Sequence, residues 1–548
     1  MIADITINHK SFGDKILFTD LSLSFQKDEK VGIIGTNGCG KSTFFKMVDG
    51  SDKDYDGEVV IKKGMVLVST KQEHIHEDGI TTLEYITDGL PEFAKLTHIM
   101  NTLSETMGES TAKMQRYSDA LERFTDLGYF EVESSLESIL SAYQLPTEVL
   151  SQEFATLSGG QKRIIELVKV QQSKAHICLI DEPTNHMDHV AKDKFISWMK
   201  SVDSSVIVIT HDRDVLKNVD RILEFRDGRA YSYNGNYDDY LRTHTNRVGS
   251  EVNEFQIAKR RIQNLTEDVV RFQKMKERAR DGGTIKRFKS LEIKTRAELA
   301  ELKSREKPTF WIDKESVKGL STKISSAYEE HKTRTITIRS KKTEGGEKLL
   351  LRVNKLSLGY DLPLFEGINF DLREGERMHI VGRNGRGKTT ILRSIISTWK
   401  GEKLSAKIYA GLVDVAPDVN IGIYEQEISE IRVDMTLSEA VSDTLRTKGL
   451  PVNDQKIRSL MSDYLFNPIS DFDRPVALLS GGQKARLQLI DMMAKDPSLL
   501  ILDEPTNHLD LPSIEELESM LKNYYGAVLY VTHDSYFSKS LSAKTLTL

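Results

Sequence analysis

The chain has very little cysteine: Cys39 and Cys178 are the two among 548 residues. That is too few for a disulfide framework and fits a reducing compartment. It also lacks any apolar run of about 18 residues, the length needed to cross a bilayer. The opening MIADITINHK has no basic stretch followed by an apolar one, so no secretory signal is expected and the location expected is cytoplasmic. No Cys-x-x-Cys pair is present, which removes the commonest zinc modules. An excess of one sign of charge is nearly missing as well, with 76 Lys and Arg against 82 Asp and Glu and a formal net of −6; taken alone, that figure argues against nucleic-acid binding. What is present, 39% apolar and 29% charged residues with a mean hydropathy of −0.38, is a soluble globular composition. At 62.1 kDa the chain exceeds one hydrophobic core, so two or three folding units are expected.

The chain repeats itself. GTNGCGKST (Gly35 to Thr43) returns as GRNGRGKTT (Gly382 to Thr390), ATLSGGQKR as ALLSGGQKA, LIDEPTNHMD as ILDEPTNHLD and VITHD as YVTHD. Ser158 and Ser480, Glu182 and Glu504, and His211 and His533 are each 322 apart, so the back halves carry no net insertion. Lys41 and Lys388 are 347 apart, and the first copy holds about 32 extra residues between Gln72 and Ser158. They are placed near 95–130 and read as helix, either a tolerated insertion or an added contact arm. Residues 1–240 and 349–548 are therefore expected to be two copies of one α/β domain. The apolar runs HICLI and LLIL suit strands buried on both faces of a sheet.

Each G-x-x-x-x-G-K-[ST] run follows a strand pattern and opens a helix, the context of a phosphate-binding loop. The residues expected to cradle phosphates are Gly35, Asn37, Gly38, Gly40, Lys41, Ser42 and Thr43, and Gly382, Asn384, Gly385, Gly387, Lys388, Thr389 and Thr390. Glycines let backbone N–H groups turn inward, and Lys41 and Lys388 add a cation. Ser42 and Thr389 can offer a hydroxyl to Mg²⁺, and Asp181 and Asp503, ending apolar strands, can hold the ion directly or through water. Glu182 and Glu504 follow and can polarise a water for in-line attack. His211 and His533 lie 29 residues beyond each glutamate, where a hydrogen bond to the γ-phosphate or the attacking water is expected. Cys39 and Cys178 read as small packing residues.

With these motifs the chain resembles the ATP-binding cassette ATPases, and LSGGQ is the specific element. The resemblance implies that Ser158, Gly159, Gly160 and Gln161 close on ATP held by the second phosphate loop. It implies that Ser480, Gly481, Gly482 and Gln483 close on ATP held by the first. It places Gln72 and Gln426 as γ-phosphate and Mg²⁺ contacts. Phe12 and Tyr360 match the aromatic that stacks on adenine; a core aromatic near a strand end is the other reading. Both glutamates and both histidines are present, so two hydrolysing sites are expected. Met187, where the second copy has Leu509, is a mild apolar swap.

Tandem cassettes joined by a long charged linker resemble, more narrowly, the ABC-F family of translation and ribosome-protection ATPases. YSYNGNYDDYLRTH matches that family's lead into the linker. The segment 241–348 is then a basic linker. Thr245 to Lys342 holds 25 Lys and Arg against 14 Asp and Glu, a net of +11 that leaves −17 for the rest. Ile262, Leu265, Val269, Phe272 and Met275 recur at three- and four-residue steps. They predict an amphipathic helix from about Asp239 to Ala279 with a narrow seam suited to a two-helix hairpin. Arg280-Asp281-Gly282-Gly283 breaks it, and the tip is open anywhere in 278–313. Phe310 and Trp311 read as seam residues before tip aromatics. The resemblance implies a partner, the ribosome at its E site, with P-site tRNA and 23S rRNA met by the linker. It implies a monomer with an intramolecular cassette dimer, without membrane contact, tuning translation or relieving antibiotic-stalled ribosomes. Linker length leans to protection. The inserted helices would touch the stalk near the exit site, and no C-terminal extension is expected. The alternatives are the ATPase subunit of a transporter with separately encoded membrane domains and a chromosome or DNA-repair ATPase.

Overall fold

The computed structural model describes residues 1–12, 15–71, 79–106, 110–185, 187–303, 348–425, 434–507 and 509–548. Two compact units form: Met1–Tyr237 with Ile336–Leu548, and Asp238–Thr335. The first unit contains both sequence repeats.

In the first repeat a six-stranded sheet runs in the order Leu67–Ser69, Ile177–Asp181, Ser205–Ile209, Lys30–Gly35, Arg221–Arg226, Arg229–Asn234. All neighbours are parallel except the last pair. In the second repeat the order is Ile421–Tyr424, Leu499–Asp503, Ala527–Val531, Arg377–Val381, Lys544–Thr547, all parallel. The central strands ICLID and LLILD are buried at every position, which is why they read as unbroken apolar runs and not as alternation. Beside each parallel sheet lies a three-stranded antiparallel one, Lys15–Phe25, Ala3–Phe12, Asp56–Ile61 and Pro363–Arg373, Leu349–Gly359, Lys407–Val415.

The helix that opens from the phosphate loop, Lys41–Val48, is clamped between these sheets. Phe18, Phe44 and Phe225 meet edge to face, with centroids 5.2 to 6.4 Å apart. Lys388–Lys400 is held likewise through Ile391, Leu392 and Ile395. Between residues 82 and 142 the first repeat has four α-helices, two of them Phe93–Thr106 and Thr111–Asp126. The matching stretch of the second has Leu437–Thr447 and Asp454–Asp463. The added pair is pinned at its base by Phe93, Phe124 and Tyr129 and by Arg123 on Glu92 at 2.8 Å.

The second unit is a helical hairpin. Tyr237–Arg278, 42 residues and about 63 Å long, is followed by Gly282–Lys303. Leu265 and Val269 are buried in the seam, and Phe272 stacks on Phe288. Arg261 bonds Glu298 and Lys276 bonds Glu292, both at 2.7 Å, which sets the helices antiparallel. The turn falls at 279–281, early in the range open from sequence. Asp281 accepts from the Thr284 amide at 2.8 Å and from its hydroxyl at 3.0 Å, capping the return helix. Arg271, Lys274, Arg278, Arg280, Lys286, Arg287 and Lys289 are exposed. Pro308, Phe310 and Trp311 lie outside the described residues. No helix among the described residues is long and apolar enough to cross a membrane.

Candidate active sites between the two repeats

Each phosphate loop joins a central strand to a helix that starts without a side-chain cap. Gly40 and Gly387 stand at the cap position with φ of +102° and +89°. A Cβ on Gly40 would come within 2.8 Å of the Phe18 ring, so both conformation and space require glycine. The positive end of each helix therefore opens onto the loop, an arrangement that suits an anionic ligand. Lys41 folds back on its own loop, its Nζ donating to the carbonyls of Gly35 at 2.7 Å and Thr36 at 3.3 Å. Lys388 does the same to Gly382 at 2.8 Å and Arg383 at 3.1 Å. The ammonium groups are thus stationed inside the cradle.

Asp181 and Asp503 end the neighbouring strands. The Ser42 hydroxyl bonds Asp181 and the Thr389 hydroxyl bonds Asp503. Burial raises both carboxyl pKa values. Oδ1 of Asp503 is buried without a hydrogen-bond partner among the described residues. A carboxylate oxygen orphaned beside a phosphate cradle, with a hydroxyl at hand, is a donor set that fits a hard divalent cation.

Glu182 and Glu504 stand in the left-handed region, φ +46° and +50°, a conformation costing a non-glycine residue about 1–3 kcal/mol. It is held by the next strand: the Glu182 amide donates to the Ile209 carbonyl at 2.8 Å, and Glu504 to Val531 at 3.0 Å. The turn swings each side chain to a histidine. His211 Nε2 is 3.5 Å from Glu182 Oε1, and His533 Nε2 is 3.4 Å from Glu504 Oε1. Burial, then the adjoining aspartate charge, lifts both glutamates to about 8. Burial, then Lys388, lowers His533 to about 3; burial, then Lys41, pushes His211 down as well. The imidazoles are therefore neutral at physiological pH. Both pairs line one cavity of about 50 Å³ between the repeats.

The repeats also bond across their interface. Asp510 Oδ2 accepts from the Asn37 amide at 3.0 Å, and Asp188 Oδ2 from the Asn384 amide at 3.3 Å. Each aspartate caps its own helix with its other oxygen, at Ser513 and Ala191. One carboxylate thus ties a helix of one repeat to the phosphate loop of the other. Neither aspartate was among the residues singled out from sequence, although both lie in the repeated DEPTNH-x-D run.

Ser158 and Ser480 cap the LSGGQ helices in matching capping boxes with Gln161 and Gln483. Each serine oxygen accepts, at 3.3 Å, which leaves its proton able to donate. Phe12 and Tyr360 are 77% and 54% exposed, which removes the core-aromatic reading. Gln72, Gln426, His186 and His508 lie outside the described residues.

A family model described as ABC transporter matches residues 18–185 and 365–507, and a second of the same description matches 223–317. The putative ATP-binding protein YdiF of Bacillus subtilis is 29% identical over 100% of this chain and 80% of its own. The energy-dependent translational throttle protein EttA of Mycobacterium tuberculosis is 28% identical over 96% and 88%. The ribosome protection protein VmlR of Bacillus subtilis is 26% identical over 99% and 86%. Among solved structures, an RNase-L inhibitor shares the fold with a TM-score of 0.54 at 17% identity, over 99% of this chain and 87% of that one. Two cassettes that bind and hydrolyse ATP, joined through the matched extension, place this chain in the ABC-F family of ABC ATPases.

Proposed function

We propose that this ATPase closes on two ATP molecules, binds the ribosome in that closed form and leaves it after hydrolysis. The observation that carries the reading is one chain combining two facing Glu–His pairs beside two phosphate loops with a long basic hairpin. The relatives named as a translational throttle and a ribosome protection protein support it. In each site the phosphate-loop amides and lysine bind the β- and γ-phosphates, and Phe12 or Tyr360 stacks on adenine. Ser158 to Gln161 and Ser480 to Gln483 close the opposite site, each serine donating to the γ-phosphate. Asp181 with Ser42 and Gln72, and Asp503 with Thr389 and Gln426, are the residues that would hold Mg²⁺, which neutralises phosphate charge. Glu182 and Glu504 accept a hydrogen bond from the water that attacks the γ-phosphorus in line; the bond to the ADP oxygen breaks as the new one forms. Neutral His211 and His533 orient that water or the γ-phosphate.

The exposed basic residues of the hairpin suit a phosphate backbone, in this reading P-site tRNA and 23S rRNA met from the ribosomal E site. The protein acts in the cytoplasm as a monomer, in translation control or antibiotic protection. The test is Glu182→Gln with Glu504→Gln: with ATP, the double variant sediments with ribosomes. Sedimentation free of ribosomes overturns the reading, and recovery with membranes points to a transporter ATPase.

A further inference from the structure

The cavity between the cassettes is lined by residues that pair at a spacing of 322, and nearly every pair is identical or similar. One pair is not: Lys192 faces Ile514. Lys192 is 5% exposed, a buried cation on the interface. Its Nζ bonds Asp214 at 2.5 Å and lies 3.4 Å from Asp212, which open and cap the short helix Arg213–Leu216 just after His211. The same Nζ donates across the interface to the His533 carbonyl at 3.3 Å. Asp214 closes the link a second time by accepting from the Ser535 hydroxyl of the second cassette at 2.8 Å. Among the described residues the mirror position holds no such lysine, and the reverse contact is made by Arg213, which pairs with Glu518 at 3.2 Å and Glu515 at 3.7 Å on the helix of Ile514. Where symmetry would put a lysine and an aspartate stand Ile514 and Tyr536, and the Tyr536 ring lies under Arg213 and Lys217 instead.

We propose that Lys192 is a positioning residue that couples the two ATP sites, by joining the start of the helix after His211 to the backbone of His533 with one ammonium group. Its bonds are to Asp214, Asp212 and the His533 carbonyl, and it is not part of either phosphate loop. It acts through the two histidine loops, so a shift of either, on binding or loss of the γ-phosphate, is felt by the other. A buried ammonium shared by two carboxylates and a carbonyl has few positions in which all partners are satisfied. This link is one-sided, since Ile514 stands at the pseudo-symmetric position; it works beside the crossing bonds of Asp188 and Asp510 and the ion pairs of Arg213 with Glu518 at 3.2 Å and Glu515 at 3.7 Å. This rests on the reading of Glu182 with His211, and of Glu504 with His533, as the two hydrolytic sites.

The test uses the full chain with Lys192→Met, Lys192→Arg and Ser535→Ala, each with its melting temperature recorded. ATP binding, followed with a fluorescent ATP analogue, is cooperative in the unaltered protein, with a Hill coefficient above about 1.5 of a possible 2. It falls clearly towards 1 in Lys192→Met, falls less in Ser535→Ala and is kept by Lys192→Arg. In turnover, Glu182→Gln and Glu504→Gln each change the rate at the remaining site; with Lys192→Met that cross-effect shrinks. A Hill coefficient near 1 in the unaltered protein, or one unchanged in a folded Lys192→Met, overturns the proposal. If Lys192→Met does not fold, an unchanged value in Ser535→Ala does so. Should neither glutamine variant lower turnover, the hydrolytic reading fails, and the binding measurement still decides the coupling.

Discussion

Asp510 in the second cassette and Asn37 in the first are joined by a 3.0 Å hydrogen bond, carboxylate to backbone amide, across the cassette interface. Asp188 and Asn384 repeat it at 3.3 Å. The bonded amides belong to the phosphate loops, so ordering a loop around phosphate and docking the opposite helix are one event. Asp510→Ala and Asp188→Ala are expected to lower stability by about 1 kcal/mol through the lost cap. They weaken ATP binding beyond that. Asp→Asn keeps one acceptor oxygen for the cap but puts an NH2 donor against the crossing amide, so it should restore the melting temperature more fully than ATP affinity. Calorimetry and ATP titration on the four variants check this.

The pH dependence of hydrolysis follows from the two glutamates at about 8. A water-polarising carboxylate works ionised. Turnover should therefore rise with pH, up to about tenfold per unit below pH 8, and level off above it. His533, at about 3, stays neutral and adds no limb in that range. A profile flat from pH 6 to 9 would contradict the assignment.

Stability runs the opposite way. A carboxyl raised from 4.5 to about 8 by burial contributes fully below its unfolded pKa, and that contribution is lost as pH rises through 8. The nucleotide-free protein should lose stability from these two groups between pH 4.5 and 8. Glu182→Gln with Glu504→Gln removes the loss. At pH 8.5 the double variant should melt higher, by about 2 °C per site, while hydrolysing little ATP. Scanning calorimetry at pH 5 and 8.5 reads the difference directly.

On the hairpin, Lys286, Arg287 and Lys289 are exposed just past the turn. Neutralising all three should flatten the slope of log ribosome affinity against log salt by about 2 to 3. ATPase activity without ribosomes should persist. Loss of that basal activity would give the three residues a structural role.

Much of the site is legible along the chain because its chemistry is local. Gly40, Lys41 and Ser42 act from one loop, and Asp181 and Glu182 from one strand end, so their spacing survives in the letters. Leu265 and Val269 declare the seam by their helical step. The hairpin turn did not declare itself, because Arg280 to Gly283 and Pro308 are comparable breaks in sequence. Asp281 decides between them by capping the next helix.

By sequence alone the chain is determined as two phosphate-loop domains with a basic segment between them, since repeated motifs, buried apolar strands and net charge need no knowledge of what touches what. Tertiary structure alone decided that Asp188 and Asp510 cross between cassettes, that Glu182 and Glu504 reach their histidines through left-handed turns, and that Lys192 is buried between two loops. In the sequence Lys192 is one lysine among many on a helix. Its meaning comes from Asp212 and Asp214, which the fold of its own cassette brings within 3.5 Å, and from the His533 carbonyl, which docking adds: a charge takes its energy from its surroundings, and those are distant along the chain.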